Sequence, residues 1–532
     1  WMLQVIHKAA AAVLSAGVAT MVARIVCGRP DRWESWWRRP FRWVAGLTAQ
    51  PPAREQASAP SRDLVDRRRL LAGCVGILGG SALASQHWLR SLGRFDLGPP
   101  PSRQLPNVLL VVLDTVRAAS LSTYGYGRPT SPNLQRLATE GVCFERAFST
   151  APWTLPSHAS LFTGRYPREL GVDWTSPMTG ECPTLAEILA RLGYATVGFA
   201  GNALYCNRVF GLGRGFNQYE DVVPSMSFIA SCSEIDRTML GNEVVRNALG
   251  IQDLDVRRNV EAINASFLRW LEDAPDRPFF AFLNYFDAHS PYLPPAPFDS
   301  MFGPPRPRHT QPFPLGGDPA YGQPLSEDEI EMERNAYDGA VAYVDQQLGR
   351  LLDGLDERGR RQETLVIVLA DHGEEFSEHG IMGHSKDLYL PLLHVPLLIS
   401  APGRTPVGKR VAEPISLRDV PATVLDLLEV SAKDGLPGTS LAPFWGAAGA
   451  TPVARSPIIS QANQIKRLPA RFPIARGDMS SIVLDGHHLI RDCDGCEELY
   501  DIEADCWELQ DLRKSSRGAK IAAELGKRLD RA

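Results

Sequence analysis

The sequence predicts an α/β fold, a mostly parallel sheet flanked by helices, and two observations carry that expectation. Residues 108–113, 279–286 and 365–370 are short unbroken apolar runs rich in Val, Ile, Leu and Phe, the composition of strands buried on both faces. Each run ends in a polar cluster: Asp114 after the first, Asp287 and His289 after the second, Asp371 and His372 after the third. Open α/β sheets bind ligands beyond the carboxyl ends of their strands, so these clusters are expected to meet in one crevice.

The front of the chain, residues 1–90, has a different character from the rest. Residues 1–105 hold 15 Lys and Arg against 6 Asp and Glu, leaving 41 against 55 for the acidic body. Two apolar segments, 9–23 and 70–84, fall short of the roughly 20 residues that cross a bilayer. Between them lies a loop with ten arginines from Arg29 to Arg69 and with Trp33, Trp36, Trp37 and Trp43. Read with the positive-inside rule, that loop is cytoplasmic and the second segment leads the body outward, giving a membrane-anchored protein with its catalytic domain outside the cytoplasm, periplasmic or extracellular. An export signal ending near Ala82-Leu83-Ala84 and a pair of buried soluble helices are the competing readings.

Residues 91–106, rich in Pro, Gly and Arg, read as a linker to a catalytic domain spanning 107–430. Within it Pro132-Asn133-Leu134 opens an amphipathic helix to about Glu140, 194–199 is a further strand, and 327–355 is a long helix with Tyr337, Val341, Val344 and Leu348 at helical spacing. Asp338 and Asp345 on that helix are expected on solvated or capping faces. The run 395–400 is a strand ending in the Ala401-Pro402-Gly403 turn. Beyond Val430 short strands at 482–484 and 488–491 suggest a smaller α+β lobe, 431–532. Nine cysteines are too few for a disulfide scaffold. Cys493, Cys496 and Cys506 are expected to form one local disulfide and a spare thiol, in preference to a zinc knuckle completed by His487 or His488. No repeat and no nucleic-acid signature is present.

The chemistry lies in the strand ends and in Thr154-Leu-Pro-Ser-His158. Asp114, Asp371 and His372 offer oxygen and nitrogen ligands for one divalent ion, and Thr154 joins them as a fourth metal-binding residue whose coordinated hydroxyl the ion would activate. Thr154 precedes a helical-looking stretch, 158–163, whose free N–H groups would favour an anion. His158, His289, His384 and Lys386 supply further donors around a tetrahedral group, the inventory that phosphoryl transfer requires. Taken singly, Asp114 reads equally well as a helix cap and Thr154 more readily as an N-cap than as a nucleophile, His289 as packing against Tyr292, His379 as structural, and Arg117 equally as a substrate contact or a bridge to the acidic surface. Asp371-His372 is harder to read as structural, because a buried acid beside a histidine at a strand end needs a partner.

These motifs, with Tyr124-Gly-Tyr126, Pro129 to Leu134, Thr154 to Arg165, His289-Ser-Pro-Tyr292, Ala370 to Glu374, Leu388 to Leu397 and Glu498 to Asp501, resemble the sulfatase family of the alkaline phosphatase superfamily over residues 106–512. The resemblance implies an alkaline-phosphatase-like mixed, mostly parallel sheet and hydrolysis or transfer of phosphate or sulfate esters. Departures from the family pattern are informative. Thr154 stands where formylglycine sulfatases carry Cys or Ser, and threonine cannot be converted to formylglycine. His158 replaces an arginine, Thr115 the second of a paired aspartate, His372 an asparagine, and no Gly-Lys-x-His follows Tyr194. This set is similar to lipoteichoic acid synthases and phosphoethanolamine transferases, which implies a phosphothreonine intermediate and a membrane anchor. The ligand set favours manganese or zinc, with magnesium and calcium as alternatives. A second zinc would need Asp287, His289 and His384, and the close spacing of the first two argues against it. The expected partners are an anionic ester substrate, lipid- or glycan-linked, and a membrane. A sulfuric ester hydrolase working without formylglycine is the first alternative. An inactive protein binding anionic envelope polymers is the second, favoured by the acid missing at Ala119.

Overall fold

The computed structural model describes residues 99–101, 105–174, 176–221, 257–305, 325–430, 435–446, 456–466 and 468–531. The chain divides into two units, Trp1–Arg94 with Val223–Asp255, and Phe95–Val222 with Val256–Ala532; every described residue falls in the second. The anchor or export segments read from residues 1–90 therefore lie outside the described residues. Among the described residues no helix is long and apolar enough to cross a membrane.

The elements, in chain order, are β1 (Asn107–Leu113), α1 (Pro132–Glu140), β2 (Val142–Phe148), α2 (Thr154–Thr163), β3 (Ala195–Ala200), β4 (Gln218–Glu220), α3 (Val260–Glu272), β5 (Phe279–Tyr285), α4 (Glu327–Glu357), β6 (Thr364–Leu369), β7 (Glu375–Phe376), β8 (Met382–Gly383), β9 (His394–Ser400), β10 (Lys409–Val411), β11 (Ile415–Ser416), β12 (Ile458–Ala462), β13 (Met479–Leu484), β14 (His487–Arg491), β15 (Glu497–Asp501) and α5 (Ser516–Leu529). The central sheet runs β10-β2-β9-β6-β1-β5-β3-β4, with β11 also on β2. Strands β6, β1, β5, β3 and β4 are parallel neighbours, and β9 runs antiparallel to both β6 and β2. Strand β2 consequently points the same way as β6. The sheet is mixed, and β2, β6, β1, β5 and β3 all end on one edge.

The three apolar runs are entirely buried in β1, β5 and β6, as continuous hydrophobicity requires of strands covered on both faces. A second sheet, β12-β13-β14-β15, is antiparallel throughout. Residue Gly373 shows how tightly the strand end after β6 is seated: a Cβ there would lie 2.0 Å from the Pro391 carbonyl.

Helix α4 corrects one expectation and refines another. Asp338 is buried rather than solvated, accepting from Tyr126 Oη at 2.7 Å and pairing with Arg128 at 2.8 Å. Asp345 caps, but it caps α1: its carboxylate accepts from the N–H groups of Asn133 and Leu134, both at 2.8 Å. The α1 N-cap residue, Ser131, makes no side-chain cap bond, so Asp345 satisfies donors that a local cap would otherwise take. Asp345→Ala is expected to cost about 2 kcal/mol, read from urea unfolding, because buried N–H groups lose their acceptor. An unchanged midpoint would show that water replaces the carboxylate.

The cysteine expectation is also corrected. Cys493, Cys496 and Cys506 are exposed free thiols. Among the described residues they join no potential metal cluster, and His488 instead pairs with Glu508 at 2.5 Å while His487 contacts the Asp485 carbonyl at 2.9 Å.

Candidate active site

Four neighbouring parallel strands deliver the floor of the site. Asp114 follows β1, Asn202 follows β3, Asn284 lies near the end of β5, and Asp371-His372 follows β6. Thr154 arrives from the same edge on the segment after β2. It is the first residue of α2 rather than its cap, since the N-cap is Trp153, whose side chain makes no cap bond. Ser149 and Ser157 fasten this segment to β6 by donating to the Asp371 carbonyl at 2.5 and 2.7 Å.

The expected ligands are brought together. Asp114, Asp371 and His372 form the one metal-capable group of Asp, Glu, His or Cys among the described residues, their ligand atoms all within 4.8 Å of one another. All three are fully buried. His372 Nε2 lies 3.8 Å from Asp114 Oδ1, 3.5 Å from Asp371 Oδ2 and 3.5 Å from Thr154 Oγ1. Its other ring nitrogen is 3.0 Å from the Gly373 carbonyl, which assigns the proton to Nδ1 and leaves a lone pair on Nε2.

Whether these residues suit a divalent cation is tested by their spare atoms. Asp114 Oδ1 and Asp371 Oδ2 are buried without a hydrogen-bond partner among the described residues. The other carboxylate oxygens are satisfied: Asp114 Oδ2 by the amides of Asn202 and Asn284, Asp371 Oδ1 by the N–H groups of Thr115 and His372. Two acids each keeping one oxygen free beside an unprotonated imidazole nitrogen are a fitting cation site, because buried polar atoms are otherwise paired.

Burial, reinforced by the neighbouring Asp371 charge, pushes the Asp114 carboxyl up to about 8. Burial pushes Asp371 up to about 8 against the backbone donors that lower it. Both shifts lie above the ordinary value of 3.8, so in the metal-free protein this pair binds more protons folded than unfolded between about pH 4 and 8. The pair's own contribution to the stability of the chelator-treated protein should therefore fall as pH rises through that window, and cation uptake should displace its protons below pH 8. Calorimetry of Mn2+ binding in buffers of different ionisation enthalpy reads this directly. Proton release is expected at pH 6.5 and should vanish near pH 9; equal release at both would contradict the protonated resting pair.

The remaining expected residues divide between floor and mouth. His289 and His384 are partly exposed with ring centres 4.9 Å apart, and His384 is 4.7 Å from the His372 ring. Glu374 holds His384 Nδ1 at 2.8 Å. Burial keeps both imidazoles well below the usual histidine range, hence neutral. Lys386 lies on the same loop as His384, donating to the Met382 carbonyl, with burial lowering its pKa.

The sequence places His158 among the anion donors, whereas in the structure it is fully buried behind the floor. It stands edge-on to Phe162 and Phe282, with Nδ1 2.8 Å from the Thr154 carbonyl and 3.4 Å from Asp371 Oδ2. Burial pulls it down to about 4. Asp287, weighed for a second metal, instead accepts from the Val260 N–H at the start of α3, at 2.8 Å. Arg117 bridges, pairing with Glu378 at 2.7 Å. Thr115 turns its hydroxyl to the Ala288 carbonyl at 2.9 Å and adopts φ 63°, a strained value for a β-branched residue that aims its N–H at Asp371.

Sequence reasoning missed Asn202 and Asn284. The only trace of the first was the absence of Gly-Lys-x-His after Tyr194, where Gly201-Asn202 stands instead.

The Sulfatase family model matches residues 106–430. An arylsulfatase of Clostridium perfringens (strain 13 / Type A) is 26% identical over 385 residues, 63% of this chain and 77% of that protein. The multifunctional alkaline phosphatase superfamily protein PehA of Trinickia caryophylli is 27% identical over 404 residues, 64% of this chain and 76% of its own. The solved phosphonate monoester hydrolase of Agrobacterium radiobacter shares the fold with a TM-score of 0.62 at 22% identity, over 80% of this chain and 94% of that one.

Proposed function

The chain belongs to the sulfatase family, hydrolases of the alkaline phosphatase superfamily, and from that premise we propose a metal-dependent hydrolase or transferase of phosphate or phosphonate esters that works through a covalent Thr154 intermediate. The observation that carries the reading is the Thr154 hydroxyl, buried at the first turn of a helix 3.5 Å from His372 Nε2 and beside two acids with free oxygens. Asp114, Asp371 and His372 would hold the ion, manganese or zinc by ligand type. When bound, it would lower the pKa of the threonine hydroxyl and neutralise charge on the ester.

The chain's own groups do the rest. The free N–H groups of α2 receive the anionic group, and Lys386 adds positive charge at the mouth. Thr154 Oγ forms a bond to phosphorus as the bond to the ester oxygen breaks. The hydroxyl proton passes to a neutral mouth histidine, His384 or His289, and on to the departing oxygen. Glu374 orients His384 for this task. His158 acts from behind, packing against Asp371 rather than touching the substrate. In the second half a water or another hydroxyl attacks phosphorus, gives its proton to the same histidine, and Thr154 leaves and recovers it. A threonine ester has no second hydroxyl with which to expel the group, so this displacement is obligatory.

Sulfate ester hydrolysis by the same steps is the second reading, favoured by the arylsulfatase relative. Incubation with bis(p-nitrophenyl) phosphate, p-nitrophenyl phenylphosphonate and p-nitrophenyl sulfate under Mn2+, followed by peptide mass spectrometry, separates the two. A mass gain on Thr154 from the phosphorus substrates supports the first reading; turnover of the sulfate alone replaces it. The tether and placement outside the cytoplasm rest on the arginine- and tryptophan-rich stretch within residues 1–90. Membrane fractionation of the full chain tests them, and recovery in the soluble fraction would remove them.

A further inference from the structure

We propose that Asn202 is a catalytic residue of this chain, a neutral N–H donor fixed on the Thr154 oxygen, and that Asn284 positions it. The inference rests on the reading of Thr154 as nucleophile. The Asn202 amide nitrogen lies 3.4 Å from Thr154 Oγ1 and 3.2 Å from Asp114 Oδ2, so its two hydrogens serve the nucleophile and a ligand at once. The amide's orientation is decided by its oxygen, which accepts the N–H groups of Leu204 and Tyr205 at 3.1 and 3.0 Å. Reversed, it would set NH2 against two donors and a carbonyl against the Asp114 carboxylate.

Asn284 is locked by the same logic. Its oxygen accepts the Asn202 N–H at 2.8 Å, which leaves its nitrogen for Asp114 Oδ2 at 3.3 Å. Strand register brings the two together, with Ala200 opposite Asn284 across β3 and β5. The next residue, Gly201, donates to the Asn284 carbonyl at 2.9 Å, and a Cβ on it would come 2.7 Å from that oxygen. A side chain at 201 would push the chain off β5 and withdraw Asn202 from Thr154. Both asparagines are buried, so neither amide is spent on solvent.

A donor held on an oxygen favours negative charge there. The Thr154 oxygen gains charge when it leaves, during breakdown of the intermediate: its bond to phosphorus breaks, the bond from water oxygen forms, and the water proton passes through His384 to the threonine. Asn202 therefore assists breakdown more than formation.

The test is Asn202→Ala in the full chain loaded with Mn2+, followed by stopped-flow release of p-nitrophenol from p-nitrophenyl phenylphosphonate, with Thr154→Ala alongside. The expected result is steady-state turnover slower on the order of 100-fold, preceded by a burst approaching one equivalent, with modified Thr154 accumulating in the mass spectrum and metal content unchanged. Loss of rate without a burst or trapped intermediate overturns the proposal, as does wild-type turnover. Should the alanine variant fail to fold, Asn202→Ser supplies the same comparison with a weaker, shorter donor. If Thr154→Ala itself turns over normally, the nucleophile reading falls, and that outcome is visible independently of any Asn202 variant.

Discussion

Thr154→Ala is expected to lower kcat by a factor on the order of 10^4 or more while leaving metal content unchanged, since removing a nucleophile takes away the covalent route and leaves only binding and electrostatic stabilisation. The metal prediction is as specific as the kinetic one. Thr154 Oγ1 accepts from the Asn202 amide at 3.4 Å and faces His372 Nε2, whereas the free oxygens that define the cation site belong to Asp114 and Asp371. The cavity left by losing a hydroxyl and a methyl is small, and the serines that anchor the segment, Ser149 and Ser157, bond to the Asp371 carbonyl without involving Thr154. Kinetics on an ester with a good leaving group, paired with elemental analysis, reads both quantities. Retained turnover would take threonine out of the mechanism; loss of metal together with activity would make Thr154 a ligand first and a nucleophile second.

Asp371→Asn is expected to weaken cation binding by at least about 100-fold, beyond the range typical of groups that only support a ligand. The substitution is chosen for its economy. Asp371 Oδ1 accepts the N–H groups of His372 and Thr115, and an asparagine carbonyl can keep both bonds. The change then falls on Oδ2, the atom without a partner, which becomes an NH2 that cannot ligate. Fold and loop geometry should survive while the site loses one ligand and one displaceable proton. Chelator competition measures the affinity, and calorimetry should show less proton release on uptake than in the parent. Stoichiometric metal with parental affinity would contradict the assignment of Asp371.

Much of this site is legible in the amino-acid sequence. The three apolar runs named β1, β5 and β6, and Asp114, Asp371 and His372 at their ends do share one cluster. Such inference works because a strand buried on both faces must be continuously apolar, and its first polar residue marks the edge where ligands gather. The helical spacing of Tyr337 to Leu348 likewise marked α4. Side-chain direction was not legible. His158 had the right type and neighbourhood for an anion ligand, but α2 turns it into the aromatic layer against Phe282. Asp338 is expected on a solvated or capping face when its own helix is read alone, and it is buried because Arg128 and Tyr126 arrive from the loop before α1.

By itself the sequence determined the α/β class, the strand ends that carry acids and histidines, and the presence of threonine at the head of the Leu-Pro-Ser-His turn. Tertiary structure alone decided that β9 is the strand that reverses within the mixed sheet, that Cys493, Cys496 and Cys506 are free, and that two asparagines hold Asp114 and Thr154 in place. The reason is physical. Hydrophobic periodicity records what each segment must bury, a property of neighbours along the chain. Which polar atoms face each other depends on register between strands distant in sequence, such as Ala200 opposite Asn284, and that is settled only when the sheet assembles.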